Sequence, residues 1–216
     1  MSRSKSKPSK INLPNKITIS RIFLVPIFMV FLIPLPSWIV ELGFFSNQIA
    51  AYSQFIKEYG YIVAGVIFVI ASSTDAVDGY IARKHQLVTN LGKFLDPIAD
   101  KLLVTAALLA LVQTGTISSW TAMIIIGREF IVTGIRLVAA GEGIVISASN
   151  LGKIKTVTQM VAIILALFKN FPFAIIPGLS WFPFSRVAMG VALVMTVYSG
   201  VDYIGKNMPR IIENSK

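Results

Sequence analysis

Four aspartates, Asp75, Asp78, Asp96 and Asp100, lie in the stretch TDAVDGYIARKHQLVTNLGKFLDPIADK, where two segments apolar enough to span a bilayer approach each other in the sequence. A carboxylate close to a hydrocarbon core is costly unless it is paired, hydrated or bound to a cation. On a helix, residues three or four apart share a face, so the aspartates form two matched pairs, one on each of two helices. Two helices that present such pairs to each other would build an all-oxygen site suited to Mg²⁺ or Mn²⁺. The spacing therefore predicts a site for divalent cations.

Two alternative roles for the aspartates stay open at the level of sequence. The acids could lie at the membrane surface and pair with the neighbouring basic residues, which are Arg83, Lys84, Lys93 and Lys101. They could also line the path of a cation transporter, because acids inside a membrane often mark transport routes. A transporter, however, has no need for glycines, an alanine and an arginine at fixed offsets from the acids.

The composition is typical of an integral membrane protein. Of the 216 residues, 55% are hydrophobic and 14% are charged, and the mean hydropathy is +0.73. A soluble domain is normally about a quarter charged. The chain contains no cysteine, which excludes disulfides, thiolate metal sites and a cysteine nucleophile.

Six apolar segments approach the roughly 20 residues that a helix needs to cross a bilayer. They fall near residues 17–35, 59–80, 97–113, 118–138, 154–174 and 184–204. This pattern predicts an all-α, polytopic membrane protein with six transmembrane helices. We expect a single membrane domain over residues 12–207, a disordered basic N-terminal tail over 1–11 and a C-terminal tail over 208–216.

The distribution of basic residues predicts how the chain is oriented. All lysines and arginines except Lys57, Lys169 and Arg186 fall in the termini, around the aspartates, or between the middle of the fourth segment and the start of the fifth. Basic residues concentrate on the cytoplasmic side of membrane proteins. Both termini and a polar active-site cavity at the aspartates are therefore predicted to face the cytoplasm. The net charge of +10 suits anionic lipids and phosphate-bearing substrates, and no folded motif accompanies the basic tail to suggest nucleic acid as a partner.

The aspartate motif resembles the signature of a known family. The pattern DxxDGxxAR covers residues 75–83. After eight intervening residues it is followed by GxxxDxxxD, which covers residues 92–100. It is similar to the signature of the CDP-alcohol phosphotransferases, membrane enzymes that join a CDP-activated lipid or alcohol to a second alcohol. The resemblance extends through LPNKIT near the N-terminus, GREFIVTGIR at 127–136 and LGKIKT at 151–156. These segments look like those of bacterial members whose acceptor is sn-glycerol 3-phosphate.

The resemblance implies roles for individual residues. Asp75, Asp78, Asp96 and Asp100 would hold two divalent ions, Mg²⁺ or Mn²⁺. The last aspartate of the motif, Asp100, is also taken as the general base in the family, although metal ligation lowers its basicity. Contacts to CDP-diacylglycerol are implied for Gly79, Ala82, Arg83, Thr89, Leu13, Pro14, Asn15 and Lys16.

Basic residues downstream of the motif are candidates for binding the acceptor phosphate. Arg128 lies halfway along the fourth segment, and Arg136 lies about 12 Å closer to the cytoplasm along the helix axis. Together with Lys153, they would place three cations around one dianionic phosphate. Glycerol 3-phosphate carries such a group, whereas serine and choline do not. The alternative is a structural Arg128–Glu129–Arg136 network that only holds helices together.

These observations and the resemblance together predict the reaction. The phosphatidyl group of CDP-diacylglycerol would pass to sn-glycerol 3-phosphate with release of CMP, in phosphatidylglycerol and cardiolipin biosynthesis. The alternative acceptors are phosphatidylglycerol and inositol phosphate. Family members with this helix count often pair through their later helices, so we expect a homodimer in the bacterial plasma membrane.

Overall fold

The computed structural model describes the backbone of residues 13–36, 40, 46–84, 90–141, 143–144, 146 and 149–214. Side chains are described for residues 19–36, 40, 47–74, 98–99, 101–141, 143–144, 146 and 149–209. Every regular element in this part of the chain is helical, and it contains no strand. The predicted all-α fold is therefore confirmed.

The helices follow the apolar segments of the sequence. In chain order, the α-helices within the described ranges are α1 (Leu13–Leu32), α2 (Ser46–Phe55), α3 (Tyr61–Lys84), α4 (Asn90–Gln113), α5 (Ser119–Gly141), α6 (Asn150–Leu167) and α7 (Phe184–Asn214). A π-helical turn (Ile56–Gly60) joins α2 to α3 without a break, and a 3₁₀ turn (Phe173–Ile175) lies between α6 and α7. Each of the six predicted apolar segments overlaps one of these α-helices.

Three helical stretches in the described residues are long and apolar enough to cross a membrane. They are Asn47–Thr74, Asn150–Leu167 and Phe184–Pro209. Two shorter apolar stretches, Ile19–Leu32 and Lys101–Gln113, belong to α1 and α4. The chain is thus a helical membrane protein by the length and composition of these elements.

Serine side chains cap the start of two helices. Ser118 Oγ accepts a hydrogen bond from Thr121 N at 3.3 Å in the first turn of α5. Ser149 Oγ accepts one from Gly152 N at 3.1 Å in the first turn of α6. Such caps satisfy backbone N–H groups that have no partner within the helix. The caps therefore fix where α5 and α6 begin. The starting residue in turn sets which residues lie on which face of each helix.

Two helices end away from the predicted boundaries. α6 ends at Leu167, before the predicted limit at 174, because Lys169 and Asn170 adopt positive φ angles of 49° and 68°. This left-handed conformation commonly terminates helices. Asn170 Oδ1 then accepts a hydrogen bond from Ser185 N at 2.7 Å and so caps the first turn of α7. At its other end α7 is helical through Asn214, past the predicted domain limit at 207.

The helices pack around one apolar core. The most extensive contacts join α6 to α7, α1 to α4, α1 to α3 and α5 to α7. The large side chains that are fully buried include Phe28, Phe68, Leu108, Ile125 and Ile163, from five different helices. Many of the other buried residues are alanines, and small residues let helix backbones approach closely in a membrane protein.

The buried face of α1 and that of α6 each begin with a basic residue. The buried positions of α1 are 21, 25, 28 and 32, and those of α6 include 155, 159, 162 and 166. Both sets have the spacing i, i+4, i+7, i+11, which keeps residues on one side of a helix. Their first members are Arg21 and Lys155, which are only 2% and 1% exposed. The fold therefore carries two cationic side chains into its interior.

Candidate active site

A cavity of about 240 Å³ lies where α1, α3, α4, α5 and α6 meet, and we call it the central cavity. Its polar and charged lining residues are Arg21, Ser72, Lys101, Thr105, Glu129, Lys155, Thr156 and Gln159. Ligand pockets for drug-sized molecules typically span about 300–1,000 Å³. By its volume the central cavity therefore suits a small molecule, and apolar side chains such as Leu103, Ile126 and Met160 line the rest of it.

Glu129 links three cationic side chains at the central cavity. Its Oε1 forms an ion pair with Lys155 Nζ and lies 3.6 Å from Arg128 Nη1, while its Oε2 lies 3.7 Å from Lys101 Nζ. Lys155 is almost fully buried, whereas the Glu129 side chain keeps 26% of its surface exposed. A buried cation is costly to leave unpaired. The carboxylate therefore fixes the positions of these cations.

The two helices that carry the aspartate motif both contribute to the lining of the central cavity. The first pair of the motif lies on α3 and its second pair on α4, and these two helices contact each other. Ser72, which lines the cavity, lies three residues before Asp75, and Lys101, which also lines it, directly follows Asp100. The four aspartate side chains lie outside the described part of the structure. Their ligation of metal accordingly stays a prediction.

The residues implied in contacts to CDP-diacylglycerol fall near helix ends. Those on the last turns of α3 are Gly79, Ala82 and Arg83, and those on the first turn of α1 are Leu13, Pro14, Asn15 and Lys16. Thr89 lies outside the described residues. The side chains of the helical members lie outside the described set as well, so these contacts stay predictions.

The two arginines predicted to bind the acceptor phosphate contact α7. Arg128 Nη2 donates to Ser199 Oγ at 3.1 Å, and Arg136 Nε donates to Tyr203 Oη at 3.1 Å. The Cζ atom of Arg136 also lies 5.5 Å from the centre of the Tyr203 ring, within the range of a cation–π interaction. Within the described side chains, Glu129 forms an ion pair with Arg128 but not with Arg136. The Arg128–Glu129 half of the structural network is thus present.

Two lysines of α6 have opposite environments. Lys153 is exposed near the start of the helix, whereas Lys155 is buried at the central cavity. Two positions apart on a helix correspond to a rotation of about 200°. Sequence reasoning named Lys153 as a site residue and missed Lys155, as it missed Arg21. The signal for Lys155 is its spacing of four from Gln159, on the face that continues into buried apolar positions.

The fold and this site together define a helical membrane protein with an acidic motif on two adjacent helices and a cation-rich cavity beside it. The model of the CDP-alcohol phosphatidyltransferase family matches residues 11–198. The chain belongs to this family, which confirms what the aspartate motif predicted.

Bacterial relatives align with nearly the whole chain. The CDP-diacylglycerol–glycerol-3-phosphate 3-phosphatidyltransferase of Bacillus subtilis (strain 168) is 49% identical over 197 residues, covering 91% of this chain and 95% of the relative. A protein of the same name from Rickettsia felis is 32% identical over 193 residues, covering 89% and 93%. A "probable phosphatidylglycerophosphate synthase" of Mycobacterium tuberculosis (strain H37Rv) is 34% identical over 202 residues, covering 90% and 81%.

Proposed function

We propose that this protein transfers the phosphatidyl group of CDP-diacylglycerol to sn-glycerol 3-phosphate, giving phosphatidylglycerophosphate and CMP. The observation that carries the proposal is the central cavity, where buried cations converge beside the helical turns that bear the aspartate motif. Both substrates carry phosphate, so their reaction centre needs fixed positive charge. Membership of the family and the names of the bacterial relatives support the same reaction.

The donor set of the motif fits divalent cations. Its two carboxylate pairs lie on helical turns of α3 and α4, which pack against each other. We propose that Asp75, Asp78, Asp96 and Asp100 hold two ions, Mg²⁺ or Mn²⁺, since both ions prefer carboxylate oxygens. When bound, these ions would neutralise negative charge that develops on the phosphoryl oxygens.

In the proposed reaction, the acceptor hydroxyl oxygen forms a bond to the β-phosphorus of CDP-diacylglycerol. The bond from this phosphorus to the bridging oxygen breaks, and CMP leaves with that oxygen. We assign the carboxylate that takes the hydroxyl proton to Asp100. The next residue, Lys101, contributes positive charge at the cavity wall, where Glu129 lies 3.7 Å from its ammonium. On α3, Arg83 would bind the pyrophosphate, and Gly79 would let the nucleotide approach the helix closely.

We propose Arg128, Arg136 and Lys153 as the groups that bind the acceptor phosphate. Arg128 is half-buried, and its Nε is buried without a hydrogen-bond partner among the described atoms. Arg136 and Lys153 are exposed, and the bond from Arg136 to Tyr203 orients the guanidinium group. Bonds between such cations and a phosphate are stronger than bonds between neutral groups.

The contacts of the arginines with α7 also favour a structural role. Arg128 and Arg136 each donate to a buried side chain of α7, Ser199 and Tyr203 respectively. Loss of either arginine would leave one of these interhelical bonds unmade. Phosphate binding and a structural role have different kinetic consequences. Only if the arginines bind the acceptor phosphate does their replacement lower kcat/KM for the acceptor specifically.

The architecture we propose around this site has six membrane-crossing helices, α1 and α3 to α7, in one domain over residues 12–207. The basic residues support an orientation with both termini and the central cavity on the cytoplasmic side. In intact cells, a Ser9→Cys variant should be shielded from an impermeant thiol reagent, and a Ser46→Cys variant should be labelled. The reverse labelling would contradict this orientation. We also propose a homodimer, which native mass spectrometry of the purified protein would test.

An acceptor panel tests the proposed reaction directly. Purified protein is incubated with CDP-diacylglycerol and, in turn, with sn-glycerol 3-phosphate, phosphatidylglycerol, inositol phosphate and serine, and both CMP and the lipid product are measured. We expect CMP and phosphatidylglycerophosphate with sn-glycerol 3-phosphate. A product formed with a different acceptor alone would overturn the acceptor assignment, and no CMP with any acceptor would overturn the reaction.

A further inference from the structure

The end of the bundle opposite the aspartate motif contains a second cavity, which we call the end pocket. It measures about 460 Å³ and lies between the C-terminal ends of α1, α4 and α6 and the π-helical turn before α3. Its apolar walls include Leu32, Ile56, Leu111 and Leu167. The end pocket is therefore larger than the central cavity and is lined on several sides by aliphatic side chains.

Three basic residues gather at this end of the bundle. Lys57 and Lys169 line the end pocket, while Lys169 and Arg186 line an adjoining cavity of about 450 Å³. Among the described side chains, no carboxylate oxygen lies within 4.0 Å of these three cations. They are also the three exceptions to the distribution of basic residues in the sequence. An anion from outside the protein can therefore balance their positive charge.

The position of Lys169 is set by its surroundings. Its Nζ lies 4.0 Å from the centre of the Tyr61 ring, which itself lines the end pocket. The next residue, Asn170, is tied to the start of α7 by its bond from Ser185 N. A second polar group lies nearby, since Thr116 lines both cavities and its hydroxyl lies 3.0 Å from that of Thr114. A cation and hydroxyl groups are thus placed along an apolar wall.

We propose that the end pocket binds an anionic phospholipid. The phosphate would lie beside Lys57 and Lys169, and an acyl chain would cover the aliphatic wall. Free phosphate would leave that wall uncovered, and a neutral lipid would leave the two cations without an anion. Basic pockets between membrane helices are suited to anionic headgroups for this reason. In the proposed orientation, this end faces the non-cytoplasmic leaflet, and the site does not depend on the proposed reaction.

The test measures lipid retention by the full-length protein in detergent. The protein is titrated separately with phosphatidylglycerol and phosphatidylcholine, and bound lipid is counted by native mass spectrometry. We expect the wild type to prefer phosphatidylglycerol, and a Lys57→Gln/Lys169→Gln variant to bind it about tenfold more weakly. The Lys57→Arg/Lys169→Arg variant should retain the preference. Lys206→Gln is the control, because it removes an exposed cation of α7 that is paired with Asp202.

Several outcomes would overturn the assignment. Equal retention of the two lipids by the wild type, or an unchanged preference in the Gln double variant, would show that the lysines do not select the headgroup. Displacement of phosphatidylglycerol by millimolar inorganic phosphate would assign the site to free phosphate. If the double variant does not fold, Lys57→Gln alone, which keeps the contact of Lys169 with Tyr61, should still weaken the preference. Full retention in that single variant would also overturn the proposal.

Discussion

The central cavity and the end pocket both contain cations, but they differ in what balances the charge. At the central cavity, three cationic side chains converge on Glu129. At the end pocket, no carboxylate oxygen of the described residues lies within 4.0 Å of the Lys57 or Lys169 ammonium. A cation held by an internal carboxylate is in place before a substrate arrives, whereas a cation without one is left to water or to an incoming anion.

This difference separates two tasks. Phosphoryl transfer depends on positioning and on charges that do not reorganise during the reaction. Retention of a lipid requires only that its headgroup gains a favourable contact at the membrane boundary. We therefore expect substitutions at the central cavity to change turnover, and substitutions at the end pocket to change lipid binding without changing turnover.

The largest effect is expected from the aspartates of the motif on α3 and α4. Asp75→Asn or Asp96→Asn should abolish turnover and leave the protein folded, because each removes one ligand charge from the proposed metal site. CMP release under saturating Mg²⁺ is the measurement. Glu58→Gln, which neutralises an exposed acid in the π-helical turn, is the control and should keep full activity. Substantial CMP release by either aspartate variant would count against two bound metals.

The acceptor groups should give the next largest effect. Arg136→Ala or Lys153→Ala would remove a charge-assisted contact worth roughly 1.5–3 kcal/mol. The kcat/KM for sn-glycerol 3-phosphate should fall about tenfold to a few hundredfold, while the KM for CDP-diacylglycerol changes little. Tyr203→Phe is the matched control, because it removes the hydrogen-bond acceptor of Arg136 without altering charge. An equal change in the kinetic constants for both substrates, or a loss of folding yield alone, would favour the structural network.

Replacement of Glu129 tests whether an internal carboxylate positions the cations. Glu129→Gln removes the ion pair that Lys155 forms with Glu129, and we expect kcat to fall about 10- to 100-fold. Removing one partner of a fully buried pair costs about 3–5 kcal/mol, so the partial exposure of Glu129 reduces the expected loss of unfolding free energy to about 1–3 kcal/mol. Steady-state kinetics and thermal unfolding in detergent measure the two effects. An unchanged kcat would show that Lys101 and Lys155 keep their positions without the carboxylate.

The smallest effect is expected beside the end pocket, where Gly60 packs against the main chain of α1. A Cβ atom at this position would lie 2.3 Å from the Phe31 carbonyl oxygen, so Gly60→Ala should lower the free energy of unfolding by about 1–3 kcal/mol. Gly190→Ala in α7 is the control, because a Cβ atom there meets nothing within 4 Å. Thermal unfolding compares the two variants. Equal stability would show that α1 and the π-helical turn can separate without cost.

The helices and the aspartate motif could be predicted because both are local patterns in the sequence. Apolar runs mark the helices, and the acids recur at helical spacing within one short stretch. Partners distant in sequence give no such signal. Arg128 and Ser199, for example, are 71 positions apart and meet only because α5 packs on α7. The sequence therefore predicted the elements better than their contacts.

The limits of the prediction are clearest on α6. By residue type Lys153 and Lys155 are equivalent, and only the rotation of the helix separates them. The C-terminal end of the helix depended on the left-handed conformation of Lys169 and Asn170, which an apolar run does not reveal. The same turn brings Lys169 to the end pocket with Lys57. The basic residues of that end were recognised as exceptions in charge distribution, but their common pocket was not.

The close approach of Gly60 to Phe31 brings the main chain of the π-helical turn against the main chain of α1 beside the end pocket. Ile56, Lys57 and Tyr61, which surround Gly60 in the chain, line the pocket and are carried by this backbone contact. Substitutions along the wall can therefore change the polarity of the pocket while its frame stays constant. A synthetic ligand aimed at this end would therefore depend for its selectivity on the side chains that line the pocket.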